Sequence, residues 1–204
     1  MSSLNSLPTP ATRRLGLLAL GLATLLPMLG GSLANMVLPA LGQAFAVPFA
    51  SLQWVLVAYL LGITCLTVVA GRLGDRFGRR RLLLLGLGLF ALASLLCALA
   101  PTIGWLIAAR ALQGIAAACM LSLALAMLGQ LVPPARRGWG MGLLGTLSAC
   151  GTALGPSFGG LLTAGFGWQA PFLLLVPLSL LGLGCARLGL PRDGSSPQQE
   201  RMNL

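Results

Sequence analysis

The chain has 204 residues, of which 57% are hydrophobic and 8% are charged, and it contains no His. A chain of this composition cannot keep its surface in water, so its apolar segments must face lipid, and a soluble globular fold is excluded. The 13 basic residues are all Arg, and the formal net charge is +10.

Six apolar runs are each long enough to cross a bilayer, which takes about 20 residues of α-helix. In chain order they cover residues 15–39, 52–70, 82–100, 103–131, 139–164 and 170–190. We therefore predict an all-α integral membrane domain of six transmembrane helices over residues 15–190. A cytoplasmic tail is expected over 1–14, and a polar, disordered cytoplasmic tail over 191–204.

The Arg residues alternate from loop to loop along the chain. All except Arg110 lie before the first run, between the second and third, between the fourth and fifth, or near and after the end of the sixth. Because basic residues in short loops stay on the cytoplasmic side, we predict a multi-pass protein of the inner (plasma) membrane with both termini cytoplasmic. The same spread argues against nucleic-acid binding, which gathers basic residues on one face.

The first run has an alternative interpretation as a secretory signal. Arg13 and Arg14 precede an apolar stretch that leads to Ser32, Leu33 and Ala34, which imitate a cleavage site. A signal core spans about 7–15 residues. The apolar run here is longer and five more runs follow, so the sequence favours a first transmembrane helix.

The turn between the second and third runs is a densely charged segment, Gly-Arg-Leu-Gly-Asp-Arg-Phe-Gly-Arg-Arg-Arg over residues 71–81. Its Gly residues permit a sharp reversal between helices, and its Arg residues hold it at the cytoplasmic face. Asp75 is the one acid available near the membrane. An ordinary solvated loop is the plain alternative, but the full pattern is more specific. The candidate gate residues are Gly71, Gly74, Asp75, Arg76, Gly78, Arg79 and Arg80.

Further motifs follow in order. The second run contains Trp54 and Tyr59, and the fourth contains Arg110 and Gln113 within Arg-Ala-Leu-Gln-Gly. The fifth run contains Gly151, Gly155, Pro156, Gly159 and Gly160. Together with the charged turn, these motifs resemble the major facilitator superfamily, in particular its multidrug proton antiporters with fourteen helices.

The resemblance implies an architecture of two six-helix halves, each built from two inverted three-helix repeats. This chain would supply the amino-terminal half. The second half would lie in the same chain if this sequence is a fragment, and otherwise in a homodimer or another subunit. A faint repeat supports this arrangement, because the spacing of Gly71, Phe77 and Gly78 recurs in Gly160, Phe166 and Gly167.

Arg110 lies within the predicted fourth helix, where insertion scales put the cost of a charge at about 2.5–3.5 kcal/mol. Snorkelling toward the outer interface is one explanation for a charge at this position. The resemblance implies that Arg110 has a role in proton coupling. Gln113, one turn later on the same helix face, could hydrogen-bond to Arg110. Gly30 stands where the family has an Asp, and the predicted helices contain no acid and no His. The natural counter-ion of Arg110 is therefore absent.

Gly151, Gly155 and Gly159 recur at every fourth position of the fifth run and so line one helix face. Small residues at this spacing allow a second helix to approach closely, and Pro156 removes one backbone donor. A packing seam and a moving hinge both fit the pattern, and the resemblance implies a role in antiport.

The possible substrate contacts are Asn35, Gln53, Trp54 and Tyr59. Capping or packing of a helix end is the plain alternative for Asn35 and Gln53.

We therefore predict one half of a secondary transporter that exports drugs or other amphipathic small molecules in exchange for protons, without a metal or organic cofactor. An enzyme is not expected, because the sequence offers no nucleophile–base pair, metal cluster or phosphate loop. Two alternatives stay open. One is a metabolite or sugar transporter of the same superfamily, and the other is a truncated membrane protein that does not transport.

Overall fold

The computed structural model describes residues 10–190, and this part of the chain is almost entirely α-helical. Its helices are α1 Pro10–Phe45, α2 Phe49–Phe77, α3 Arg79–Ala98, α4 Ile103–Leu131, α5 Arg137–Phe166 and α6 Ala170–Gly189. A short 3₁₀ turn, Pro134–Arg136, precedes α5. The prediction of an all-helical fold is confirmed. Residues 1–9 and the tail predicted over 191–204 lie outside the described residues.

Five of these helices, all except α5, are long and apolar enough to cross a membrane. Helix α5 has 30 residues, so it is long enough, but its many Gly, Ser and Thr residues lower its mean hydropathy. By length and composition, five of the six predicted spans are thus candidate membrane spans.

Helices α1 and α2 extend furthest beyond the runs that predicted them. Helix α1 begins at Pro10, because Pro in a first turn lacks only an N–H that would have no helical partner. Helix α2 continues through most of the charged segment to Phe77. The chain then reverses at Gly78, whose φ of 99° lies in the region that favours Gly. Much of the predicted turn is thus the last part of a helix.

Successive helices run in opposite directions, so the connections fall at two ends of the bundle. We call one the arginine-rich end, which holds Gly78, the 132–136 connection and Arg187. The other, the uncharged end, holds 46–48, 99–102 and 167–169. At the arginine-rich end Arg80 Nη2 donates to Arg187 O at 2.7 Å. At the uncharged end the rings of Phe45 and Trp168 pack together, with their centres 5.4 Å apart.

Helices α1 and α4 form the centre of the bundle. Helix α1 packs on α4, α5 and α6, and helix α4 packs on α2 and α3. Their contact surfaces bury large apolar side chains such as Leu26, Phe90 and Met120. Because lipid tails are as apolar as these side chains, helix association in a membrane depends on close packing and interhelical hydrogen bonds. The positions of small and polar residues therefore decide how the helices meet.

Candidate functional site

Arg110 lies in the interior of the bundle, on α4, and is 0% exposed. Helix α4 begins after Thr102, whose side chain accepts a hydrogen bond from Trp105 N at 3.3 Å. Arg110 is thus about 10 Å along the helix from the uncharged end, at 1.5 Å per residue. Its side chain is enclosed by neighbouring helices and does not reach that end.

The guanidinium of Arg110 is solvated by groups from three helices. Its Nε donates to Val55 O on α2 at 3.3 Å, and its Nη1 donates to Gly30 O on α1 at 3.3 Å. Nη1 also donates to Gln113 Oε1, one turn further along α4. The guanidinium carbon lies 4.1 Å from the centre of the Tyr59 ring. Among the described residues, Arg110 Nη2 has no hydrogen-bond partner.

Gln113 connects the guanidinium of Arg110 to α3. It is fully buried, and its Nε2 donates to Ser94 Oγ at 2.7 Å. Ser94, also fully buried, donates in turn to Phe90 O of its own helix at 2.7 Å. Gln113 was predicted from the sequence but Ser94 was not, because nothing in the sequence relates a Ser on the third helix to an Arg on the fourth.

Tyr59 covers the guanidinium of Arg110 on the side of α2. Its hydroxyl donates to Pro27 O on α1 at 2.6 Å. Its ring packs on Gly31, where a Cβ would lie 3.3 Å from Tyr59 Cε1. Tyr59 is 2% exposed, so the structure places this predicted substrate contact against Arg110 rather than on an open face. The other three candidates, Asn35, Gln53 and Trp54, are exposed.

Gly30 lies directly beside the Arg110 cluster, which consists of Arg110, Gln113, Ser94 and Tyr59. A Cβ there would lie 3.2 Å from Phe90 Cζ and 3.3 Å from Leu175 Cδ1, so little space remains for a side chain. Within residues 10–190 the one carboxylate is Asp75, which lies on the last turn of α2 at the arginine-rich end. Arg110 therefore has no acid beside it in the described part of the chain.

A close approach of α2 to α4 brings Val55 and Tyr59 to Arg110. A Cβ at Gly114 would clash with Tyr59 O, and one at Gly62 would lie 2.9 Å from Ala111 O. Backbone atoms thus fill the space that a side chain would need. Gly62 was not predicted from the sequence, and Gly114, although it belongs to the Arg110 motif, had no predicted role.

The charged segment connects three helices at the arginine-rich end. Asp75 Oδ1 accepts from Arg79 Nη2 at 2.8 Å and from Arg79 Nε at 3.0 Å. Arg79 Nη1 donates to Ala126 O on α4 at 3.2 Å. Gly74 packs against α4, because a Cβ there would clash with Leu123 Cδ2. Asp75 and Arg79 thereby join the ends of α2 and α3 to α4.

Two of the other candidate gate residues have different surroundings. Arg76 is exposed, and its guanidinium carbon lies 5.5 Å from the centre of the Phe77 ring. A Cβ at Gly71 would meet no atom within 4 Å. Beside the pair, a cavity of about 460 Å³ opens between α4 and α5, with Arg79 and Arg137 in its wall.

The Gly face of α5 lies on α1. Gly151, Gly155 and Gly159 are buried there, whereas a Cβ at Gly160 would have no atom within 4 Å. This open position separates Gly160 from the other three, with which the sequence had grouped it. The position of Gly155 has no space for a side chain, because a Cβ there would clash with the Ser32 side chain. Three of the four Gly residues in the motif thus form the seam between α1 and α5.

A hydrogen bond crosses this seam at the position that Pro156 leaves unpaired. Pro156 has no N–H, so the carbonyl of Thr152, four residues earlier, lacks its helical donor. Ser32 Oγ on α1 donates to Thr152 O at 2.7 Å. The lost donor was predicted from the sequence but Ser32 was not, since no spacing identifies a residue on another helix that replaces it.

Comparisons with known proteins agree with this architecture. The family model described as Major Facilitator Superfamily matches residues 20–203. The puromycin resistance protein pur8 of Streptomyces alboniger is 40% identical over 190 residues, which are 93% of this chain and 38% of that protein. The riboflavin transporter RibZ of Clostridioides difficile (strain 630) is 28% identical over 86% of this chain and 39% of that protein.

A solved structure shares the fold. The proton:xylose symporter XylE, bound to 6-bromo-6-deoxy-D-glucose, superposes with a TM-score of 0.79 at 18% identity. The match covers 90% of this chain and 46% of the symporter chain. The chain thus spans less than half the length of these three proteins.

Proposed function

Because the chain belongs to the major facilitator superfamily, we propose that it is the amino-terminal six-helix part of a transporter that exports drugs or other amphipathic small molecules. The observation that carries the proposal is the 40% identity to a puromycin resistance protein across 93% of the chain. Identity to the riboflavin transporter is lower, at 28%. That relative supports a second candidate function, the transport of a metabolite.

We propose that a second six-helix half completes the transporter and covers exposed faces of α2 and α5. The chain spans 46% of the symporter chain that shares its fold. Trp54 on α2 is 56% exposed and Leu161 on α5 is 73% exposed. Helix α5 packs mainly on α1, and its outer face leaves Phe158 and Leu161 exposed. The second half would cover this face, and α5 would be the sixth span.

The two three-helix segments of the bundle are proposed to be inverted repeats. Gly78 ends α2 with a φ of 99°, and Gly167 ends α5 with a φ of 86°. The N–H of each Gly donates at 3.1 Å to the carbonyl four residues earlier, Gly74 O in one case and Thr163 O in the other. The second helix of each segment thus ends in the same way, at opposite ends of the bundle, as an inverted repeat requires.

We assign three roles within this transporter. Arg110 and Gln113, at the centre of the bundle, act in proton coupling. Asp75 and Arg79 set the conformational equilibrium of the gate at the arginine-rich end. The Gly seam between α1 and α5 supports closure of the transporter.

The exposed residues Asn35, Gln53 and Trp54 remain candidate substrate contacts.

Exchange with protons needs a group that binds and releases them. Within residues 10–190, Asp75 is the one carboxylate, and it is paired with Arg79 at 2.8 Å. We therefore propose that the proton-carrying carboxylate lies outside residues 10–190, in the second half. Arg110 would then act as a fixed positive charge whose field influences that group.

The test is drug accumulation in cells that lack their own efflux pumps, with the transporter expressed at its native length. Arg110→Lys keeps the charge but cannot reproduce the planar set of donors, so we expect export of puromycin and other drugs to fall at least about tenfold. The matched control is Arg72→Lys, the same change at an exposed position of α2. It should leave export unchanged.

Three results would contradict the proposal. Riboflavin or sugar transport without drug export would favour a metabolite transporter. A correctly inserted protein that moves no solute would favour a membrane protein that does not transport. Equal export by wild type and Arg110→Lys would remove Arg110 from the mechanism.

A further inference from the structure

We propose that Ser94 is a positioning residue for Arg110, because its hydroxyl selects which end of the Gln113 amide faces the guanidinium. The functional consequence rests on the proposed role of Arg110 in transport. The structural part of the proposal concerns three side chains, and it is tested separately below.

The direction of hydrogen bonding begins at Ser94. Its Oγ is buried and donates its one hydrogen to Phe90 O at 2.7 Å. With that hydrogen committed to a backbone carbonyl, the Ser94 oxygen offers only lone pairs to any other neighbour. Ser94 therefore presents an acceptor, and not a donor, to Gln113.

Gln113 has one acceptor end and one donor end, and the two ends meet different partners. Its Nε2 lies 2.7 Å from Ser94 Oγ, and its Oε1 accepts from Arg110 Nη1. Arg has donors only, so the amide must turn its oxygen toward Arg110. The acceptor at Ser94 and the donors of Arg110 thus select the same amide orientation from opposite ends.

The orientation matters because Arg110 has few other partners. In the described part of the chain its remaining hydrogen bonds go to two backbone carbonyls, Val55 O and Gly30 O. Gln113 supplies its one side-chain acceptor there. Without Ser94, the Gln113 amide would lose the partner of its NH₂ group, and rotation of the amide would bring that group against the donors of Arg110.

Ser179 provides a matched control for this proposal. Like Ser94 it is fully buried, and its Oγ donates to the carbonyl four residues earlier, Leu175 O, at 2.6 Å. Unlike Ser94, it accepts no hydrogen bond from Gln113, whose Nε2 donates to Ser94. Ser94→Ala and Ser179→Ala remove the same hydroxyl from the same kind of helical site, and they differ in the bond from Gln113.

The experiment uses the full chain in lipid nanodiscs, labelled with ¹⁵N-arginine, and measures hydrogen exchange of the Arg110 guanidinium by NMR. Arg110→Lys identifies the signals. Ser94→Ala should shift these signals and speed their exchange about tenfold, the effect of one lost hydrogen bond. Ser179→Ala should leave both unchanged. Equal behaviour of the two variants would overturn the proposal.

A second background shows whether Gln113 transmits the effect. In Gln113→Met the side chain keeps its length but has neither the amide oxygen nor the NH₂ group, so Ser94 has no orientation to select. We expect Ser94→Ala to change exchange by less than about twofold in this background, because the interaction removed by one substitution is already absent in the other. A full tenfold change there would overturn the role assigned to the amide.

Transport measurements separate this inference from the proposed function. If Arg110 acts in transport, Ser94→Ala should lower the export rate while Ser179→Ala does not. If Ser94→Ala alters the Arg110 signals but neither it nor Arg110→Lys alters transport, Ser94 still positions Arg110, and the proposed function of Arg110 fails.

Discussion

At the scale of single residues, Arg110 shows how a membrane protein holds a buried charge without an acid beside it in the described part of the chain. Two backbone carbonyls, one amide oxygen and the face of Tyr59 share the guanidinium. Each is a partial charge or a quadrupole, and together they replace part of the water that Arg110 loses on burial. The planar guanidinium suits this arrangement because its donors point in several fixed directions at once.

Tyr59 is expected to stabilise the bundle in two separable ways. Tyr59→Phe removes the hydrogen bond to Pro27 O, 2.6 Å long, and should cost about 1 kcal/mol of unfolding free energy. Tyr59→Leu also removes the ring beneath the guanidinium and should cost about 1–2 kcal/mol more. Unfolding by denaturing detergent, followed by circular dichroism, measures both. Equal losses in the two variants would mean that the ring stabilises the bundle no more than a Leu side chain does.

Asp75 is expected to affect transport more than stability. Its bond to Arg79 is solvent-exposed, and such pairs contribute about 0–1 kcal/mol. Arg79 also donates to Ala126 O, a bond that does not involve Asp75. Asp75→Asn should therefore unfold close to wild type and still lower drug export. Arg72→Gln, one turn earlier at an exposed position of α2 that is not a candidate gate residue, is the control. A loss of stability matching the loss of export would assign Asp75 a structural role.

At the scale of helices, the seam between α1 and α5 shows what the sequence predicted and what it did not. The spacing of Gly151, Gly155 and Gly159 predicted one close-packed face, and these three residues are buried against α1. The spacing carried no information about the partner helix. Ser32, which donates to the carbonyl freed by Pro156, is a Ser among apolar residues, and no pattern along the chain connects the two.

The Gly residues of this seam provide a matched pair for mutation. Gly155→Ala would place a Cβ against the Ser32 side chain and 3.0 Å from the Ser32 carbonyl carbon. The helices would have to separate, at a cost of about 1–3 kcal/mol. Gly160→Ala adds a Cβ with no atom within 4 Å, and its helix propensity should make it neutral or stabilising by up to about 1 kcal/mol. The same denaturation assay compares them, and equal effects would contradict a seam at Gly155.

The charged segment shows a second limit of sequence-based prediction at this scale. Its Gly residues predicted a turn over 71–81, but the helix continues to Phe77. Gly74 lies within this helix, and Leu123 of α4 occupies the space that a side chain there would need. The sequence does not distinguish a Gly required by contact with another helix from a Gly required by a turn.

At the scale of the whole molecule, composition and motif order were sufficient for the fold and the family, because both depend on patterns along the chain. The alternation of apolar runs predicted a helical membrane bundle, and the motifs from residue 54 to 160 predicted the superfamily. The Arg110 cluster was predicted in part. Spacing related Arg110 to Gln113, which share one helix face, and the resemblance related Gly30 to Arg110. Tyr59 and Ser94 join them only through the packing of α2 and α3 on α4.

Orientation in the membrane is the last prediction, and it follows from the distribution of Arg. In the described part of the chain the uncharged end has no charged residue in its three connections, whereas Arg79, Arg136 and Arg187 lie at the other end. The positive-inside rule therefore predicts that the arginine-rich end faces the cytoplasm. Pro101 and Pro134 are exposed at opposite ends, so Pro101→Cys and Pro134→Cys form a matched pair in a variant without the native cysteines. A membrane-impermeant maleimide should label the first in intact cells and the second only after permeabilisation. The reverse pattern would contradict the orientation, and labelling of both in intact cells would mean that the chain inserts in two directions.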